Sequence, residues 1–391
     1  MSSRMVDRTY WQQRIEDAWQ TRPIVWLRGV RRVGKTVLAR SLPDALYFDC
    51  ERPDDRQAMV DTARFLDSVR GRRVVLDEVH RLANPSELLK NAADHYPDVR
   101  ILATGSSTLQ ASAKFRDTLA GRKWEVWLVP LISPDLRDFG NPDLSHRVLA
   151  GGMPEAFLGA EVDGRLAGEW LDAFWARDVV ELFRVGQKWG FMRLCELLMA
   201  DSGGVFEATR YTAACELSRQ TIMNHLWLLE STSVVHVVKP FSTRRSAEIV
   251  RAPKVYWFDS GFVRFARGWS RPAEVEMGAL WEHVVLNEIV GRIPYVKVNY
   301  WRTKNGSEVD FILTRPNAAP LAIECRWRWT GARDAPGLKA FRRVYPGGRN
   351  LVVTGQTSRD YSQRRGDLEL EVISLDGMMG VLDEYLRSWS T

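Results

Sequence analysis

Gly29-Val30-Arg31-Arg32-Val33-Gly34-Lys35-Thr36 follows the apolar run Ile24-Val25-Trp26-Leu27 and precedes Val37-Leu38-Ala39, where a helical pattern begins. This order of strand, glycine-bounded loop and helix decides the fold of the first part of the chain. The glycines let backbone N–H groups turn inward around phosphate oxygens, and the helix start adds the positive end of its dipole. Lys35 is spaced to reach β- and γ-phosphates, and Thr36 to offer its hydroxyl to Mg2+. The octet and Val37 are therefore the candidate nucleotide-binding residues, with ATP and Mg2+ as the expected ligands.

Working outward, short apolar runs at Ile24–Leu27, Leu46–Phe48, Val74–Leu76 and Ile101–Ala103 alternate with helical stretches, and Glu125–Val129 offers a fifth. Such alternation predicts a parallel sheet covered by helices on both faces, with ligands at the carboxyl ends of its strands. The run Arg73-Val74-Val75-Leu76-Asp77-Glu78 ends in two acids at such an edge. There Asp77 is expected to hold the Mg2+ hydration shell and Glu78 to orient or deprotonate the attacking water. The next strand ends in Thr104-Gly105-Ser106-Ser107, where either Thr104 or Ser106 can sense the γ-phosphate. Phosphoryl transfer also calls for a cation on the developing charge. Arg116 and Arg122 follow the sensor strand, and Arg122, in Ala120-Gly121-Arg122, is the candidate finger. A finger acting on a neighbour's nucleotide implies a homo-oligomer.

The 391 residues allow two to four domains, and 45% hydrophobic with 27% charged residues is an ordinary globular composition. No apolar run approaches the roughly 18 residues that span a bilayer, and Met1–Asp7 carries no apolar core of a secretory signal. The four cysteines are scattered without a C-x-x-C pair, so zinc and a disulfide framework are not expected and a cytoplasmic location is. The net charge of +6 is compatible with a nucleic-acid partner.

A composition break at Phe139–Asp143 marks a domain boundary, and Trp170 to Ala200 reads as a helical scaffold. Tyr211–Leu217 is a short helix, Ser218 caps a second over Gln220–Glu230, and β-rich stretches follow at Val234–Val238 and Ile249–Trp257. Ile222, Leu226 and Leu229 face inward; Arg219, Gln220, Thr221 and Asn224 face out, and Arg244-Arg245 make the intervening turn basic. Helix-turn-helix followed by a basic hairpin is a winged-helix signature, used on DNA and on protein partners alike. Further on, a helix carries Glu282, a hairpin turned at Asn305-Gly306 carries Asp310, and the next strand presents Glu324 and Arg326 on one face. Glu282, Asp310 and Glu324 form a candidate second Mg2+ site. This part resembles restriction-endonuclease-like proteins with their PD-(D/E)xK pattern, except that Arg326 stands at the lysine position. Arginine holds a phosphate but does not give up a proton to activate water.

Taken in order, Gly29–Thr36, Leu76–His80, Thr104–Ser107, Gly121-Arg122, Gly151–Glu155, Pro253–Asp259 and Glu308–Phe311 resemble one family. It comprises bacterial and archaeal AAA-type ATPases with a winged helix and a C-terminal nuclease-like domain of unknown function. The resemblance implies an α/β chain: a P-loop ATPase domain with a parallel sheet at 1–140, a helical linker at 141–200, a winged-helix domain at 201–266 and a PD-(D/E)xK-like α/β domain at 267–391. It implies Mg2+-dependent ATP hydrolysis whose nucleotide state controls DNA-binding or nuclease-like domains. The alternative expectation is a nucleotide-gated switch acting through a protein partner, without nuclease activity.

Overall fold

The computed structural model describes residues 6–105, 117–159, 161–180, 187–243, 252–293, 295–316, 318–331, 335–357 and 359–387. Five strands, β1 (Ile24–Arg28), β2 (Ala45–Asp49), β3 (Arg73–Asp77), β4 (Arg100–Thr104) and β5 (Lys123–Trp127), form one sheet in the order β2-β3-β4-β1-β5. Every pairing in it is parallel. All carboxyl ends therefore share one edge, which carries the loop after Arg28 together with Asp77, Thr104 and the residues that follow them.

Side chains alternate along a strand, so β1 feeds two cores at once. Val25 and Leu27 join Trp11, Ile15 and Trp19 of the helix Thr9–Thr21 on one face. Ile24 and Trp26 join Phe65, Leu66, Leu88 and Leu89 on the other. Each of these large apolar side chains contributes about 1.5–3 kcal/mol by leaving water. Double-sided burial is why β1 reads as an unbroken apolar run.

Between Trp170 and Ala200 the helix Gly164–Phe174 runs into a π-helical turn, Trp175–Val180, and a helix resumes at Lys188–Ala200. The expected helix pair lies at Thr212–Cys215 and Arg219–Ser231, with Ser218 Oγ accepting from Thr221 N at 3.1 Å as the cap. Strands β6 (Gly204–Val205), β7 (Val235–Pro240) and β8 (Lys254–Trp257) pair antiparallel in the order β6-β8-β7. Arg244 and Arg245 lie outside the described residues.

The C-terminal part adds β9 (Val298–Arg302), β10 (Glu308–Leu313), β11 (Leu321–Arg326), β12 (Asn350–Thr354), β13 (Tyr361–Arg365) and β14 (Leu368–Ile373). Strand β7 pairs parallel with β9 through Lys239↔Asn299 and Pro240↔Tyr300, which fuses both parts into a nine-stranded sheet. Asn299 Nδ2 donates to Lys239 O at 3.0 Å and Tyr300 OH to Ala252 O at 2.8 Å across the same seam. One hydrophobic cluster runs without a break from Trp11 to Tyr385. Strands on either side of residue 266, the expected domain boundary, thus share one sheet and one core.

Candidate active site

The loop after β1 closes tightly on its neighbours. A Cβ at Gly29 would lie 2.2 Å from Leu128 O, and Gly34 sits at φ +103, so neither position admits a side chain without strain. Lys35 Nζ donates to the carbonyls of Gly29 (2.9 Å) and Val30 (3.0 Å), folding over the loop it follows. Burial pushes its ammonium below the ordinary lysine range, against the attraction of Glu78, Asp178 and Asp77.

The end of β3 is a small hydrogen-bonded network. Asp77 is buried; Tyr47 OH donates to its Oδ2 at 2.6 Å and Thr104 Oγ1 to its Oδ1. Thr104 Oγ1 also accepts from Glu78 N at 3.1 Å. That bond helps hold Glu78 in the left-handed region at φ +56, an outlier of the kind found where backbone strain serves a site. Burial works to raise the Glu78 pKa, but the His80 hydrogen bond and the Lys35 charge prevail and hold it below the usual carboxylate range. His80 Nδ1 lies 3.2 Å from Glu78 Oε2. Glu78 is therefore an ionised acceptor, oriented by His80, facing a cationic loop.

These groups surround a cavity of about 330 Å³. Gly29, Arg31, Arg32, Gly34, Lys35, Thr36 and Val37 line it from the loop, and Glu78, His80, Arg81 and Gly105 from the sheet edge. Glu51 enters after β2, and Arg177 with Asp178 come from the π-helical turn. The fold thus brings Lys35, Thr36 and Glu78 to one cavity, with Asp77 buried beside Glu78. Ser106 and Arg116 lie outside the described residues. Arg122 does not line the cavity: its Nε and Nη2 hold Asp94 at 2.6 and 3.1 Å.

Sequence reasoning missed the residues that brace the loop from a distance. Arg8 Nη1 donates to Val33 O at 3.0 Å while its other nitrogens grip Asp135, and Trp170 Nε1 donates to Arg31 O at 3.1 Å. Arg31 also pairs with Asp178 at 3.5 Å. Arg8, Trp170 and Asp178 belong to no motif, and only the folded arrangement brings them to the loop.

The C-terminal carboxylates gather around cations of the chain itself. Asp310 sits where the β9–β10 register shifts between Val309 and Ile312, a bulge that re-aims its side chain, and its Oδ2 accepts from Cys325 N at 2.7 Å. Arg326 bonds Glu324, as expected for neighbours on one strand face, and lies 3.7 Å from Asp310. Lys254 of β8 bonds Glu308, and Tyr256 OH donates to Glu282 at 2.8 Å. Burial pushes Glu282 up to about 7 and raises Asp310 and Glu324. Among the described residues no group of three or more His, Cys, Asp or Glu is placed to hold a metal. Glu282, Asp310 and Glu324 nevertheless lie in one another's electrostatic field, and Lys254 and Arg326 stand among them as the chain's own positive charge.

The outer face of Arg219–Ser231 carries Arg219, Gln220 and Asn224 as expected, with Gln220 Nε2 bonded to Asn224 Oδ1 at 3.0 Å. It also exposes Met223 (39%) and Trp227 (54%), so the face is amphipathic rather than purely polar.

Residues 21–135 match the family model of an AAA domain. Residues 141–273 and 277–375 match two models, each described as a domain of unknown function, DUF8612 and DUF4143. Uncharacterized proteins of Mycobacterium tuberculosis and Mycobacterium bovis are 26% identical over 321 residues, covering 79% of this chain and 72% of each relative. Among solved structures, the Walker-type ATPase of Pyrococcus abyssi shares 16% identity over 67% of this chain and 96% of its own, with a TM-score of 0.43. AMPPCP-bound DnaA from Aquifex aeolicus shares 12% over 58% and 88%, with a TM-score of 0.29. The AAA-domain match agrees with the parallel sheet and loop geometry, and together they support a P-loop ATPase family. No helix among the described residues is long and apolar enough to cross a membrane.

Proposed function

We propose that the chain binds Mg2+-ATP at the cavity above β1 and β3 and hydrolyses it. The observation that carries this reading is the convergence of Lys35, Thr36 and Glu78 on one cavity, with Asp77 buried at its β3 edge. Lys35, Arg31 and the loop amides hold phosphate oxygens. Thr36 and Asp77 are the hard oxygen donors that suit Mg2+, which when bound neutralises phosphate charge. Glu78, kept ionised and oriented by His80, positions the attacking water. Arg122 acts in this reading only in trans, on a second copy of the chain, after releasing Asp94.

The helix pair and the β6-β8-β7 sheet act as a winged helix, and the C-terminal sheet as a restriction-endonuclease-like domain that binds without cutting. The support for a non-cleaving domain is the internal pairing of Lys254 and Arg326 with the carboxylates. The exposed Met223 and Trp227 favour a second reading, a switch that docks a protein partner through Arg219–Ser231. One experiment separates these outcomes: ATP turnover with and without duplex or single-stranded DNA, with DNA integrity followed in the same tube. DNA-stimulated turnover that weakens with salt and leaves DNA intact supports DNA binding. Mg2+-dependent cleavage lost in Asp310→Ala overturns the non-cleaving reading, and turnover indifferent to DNA leaves the protein-partner switch. No turnover in any condition overturns the ATPase reading.

A further inference from the structure

The π-helical turn Trp175–Val180 is the one segment from beyond the AAA-matched region that lines the nucleotide cavity among the described residues. Its hydrophobic anchors, Trp175 and Val179, are buried, and Arg177 and Asp178 lie at the cavity wall. A π turn admits one more residue per turn than an α-helix, and such turns recur at functional sites. Among the described residues three carboxylates line the cavity, and two have clear local partners: Glu78 lies against His80, and Glu51 against Arg81 at 3.7 Å and Arg177 at 4.0 Å. Asp178 differs. It pairs with Arg31 at 3.5 Å, yet Asp178 Oδ2 and Arg31 Nε are both buried without a hydrogen-bond partner.

We propose that Asp178 is an affinity-setting residue of the nucleotide site, an anion of the chain itself that competes with nucleotide phosphate for Arg31. The pairing is long and leaves hydrogen-bonding capacity unused on both sides, whereas the planar guanidinium fork matches phosphate oxygens well. Lys35 stands in the same field, so Asp178 opposes two of the loop's cations. A triphosphate entering the cavity brings like charge against Asp178 and takes Arg31 from it. The main-chain grip of Trp170 on Arg31 O does not depend on that pair and remains. Nucleotide loading therefore releases the side-chain half of a two-point clamp and frees the π turn to shift against the loop. Trp170 in turn lies against Phe258 and Phe262, at 4.9 and 5.5 Å between ring centroids, so the clamp borders the core beneath β8.

The inference rests on the nucleotide reading, and its test distinguishes the two. Binding of a fluorescent, non-hydrolysable ATP analogue with Mg2+ is measured on the full chain for wild type, Asp178→Asn, Asp178→Glu, Arg31→Gln and the Arg31→Gln/Asp178→Asn pair. Melting temperatures report folding in parallel. The isosteric Asp178→Asn is expected to bind on the order of tenfold more tightly. Asp178→Glu, which keeps the charge, should stay near wild type, and the gain should shrink in the Arg31→Gln background. Unchanged or weaker binding by folded Asp178→Asn overturns the competitor role while leaving nucleotide binding intact. Absence of binding by folded wild type overturns the nucleotide reading and the competitor with it.

Discussion

Arg8 and Asp135 form a buried two-point ion pair, with Arg8 Nε to Asp135 Oδ1 at 2.8 Å and Nη2 to Oδ2 at 2.7 Å. The same carboxylate accepts from Trp11 Nε1 at 3.1 Å and Ile132 N at 2.9 Å, and the same guanidinium reaches Val33 O in the phosphate loop. A single pair thus joins the first helix, the exit from the sheet and the back of the loop Gly29–Thr36. Removing one partner strands a buried charge, which costs about 3–5 kcal/mol. Arg8→Ala is expected to lower the urea midpoint by a corresponding amount and to weaken ATP binding. An unchanged midpoint would show that the pair carries no such weight.

Lys35→Ala should abolish ATP binding while leaving the fold in place. Lys35 is a site cation whose two hydrogen bonds go to loop carbonyls rather than to the core. Calorimetric titration with an ATP analogue checks this, and wild-type affinity in the variant would sink the phosphate-binding role.

Thr104→Val keeps the shape of the side chain but removes the oxygen shared by Asp77 and Glu78 N. An unsatisfied buried group costs about 1–3 kcal/mol, and the loss falls on the groups proposed to place the water. Turnover should drop roughly ten- to a hundredfold with little change in KM. A change in KM alone would move Thr104 from the water network to nucleotide binding.

The pH dependence of stability should contain opposing contributions. His236 and His283 are buried, burial lowering their pKa to about 4 and about 3. The unfolded chain, near the ordinary 6.5, then binds more protons, so these two residues make stability fall as pH drops from about 6.5. Glu282 has the opposite sign: burial raises it to about 7, and stability is lost as pH rises from about 4.5 to 7. Glu282→Gln should therefore steepen the acid-side loss by about 1.4 kcal/mol per pH unit across that window. Denaturation midpoints at closely spaced pH values measure the slope. Parallel profiles for variant and wild type would refute the assignment.

Most of the candidate nucleotide site is legible in the amino-acid sequence. The octet from Gly29 to Thr36 and the pair Asp77-Glu78 are local signals, because a loop that wraps phosphate needs its glycines and lysine at fixed spacing. The predicted strands Val74–Leu76 and Ile101–Ala103 lie within the observed β3 and β4, since double-sided burial writes itself as an unbroken apolar run. Thr104 is one of two candidates in the sequence, which has no means of showing it bonded to the Asp77 carboxylate and to the main-chain N of Glu78. Arg122 reads like any other exposed arginine, and only the fold sets Asp94 beside it. In the C-terminal cluster Glu282, Asp310 and Glu324 are visible in the sequence, as is Lys254 within Pro253–Asp259, but only the fold sets Lys254 of β8 against Glu308 beside them.

Sequence by itself determined the chemistry of the loop and the parallel sheet beneath it, because both depend on residue type at short range. Tertiary structure alone decided which distant groups face that loop: Arg8 behind Val33, Trp170 on Arg31 O, Asp178 against the Arg31 guanidinium. It also decided that β7 joins β9, a pairing that runs between strands of the expected winged-helix and C-terminal parts. The physical reason is that burial and hydrogen-bond satisfaction are properties of a packed neighbourhood. A lone arginine, tryptophan or aspartate carries no local mark of the partner it will meet far along the chain.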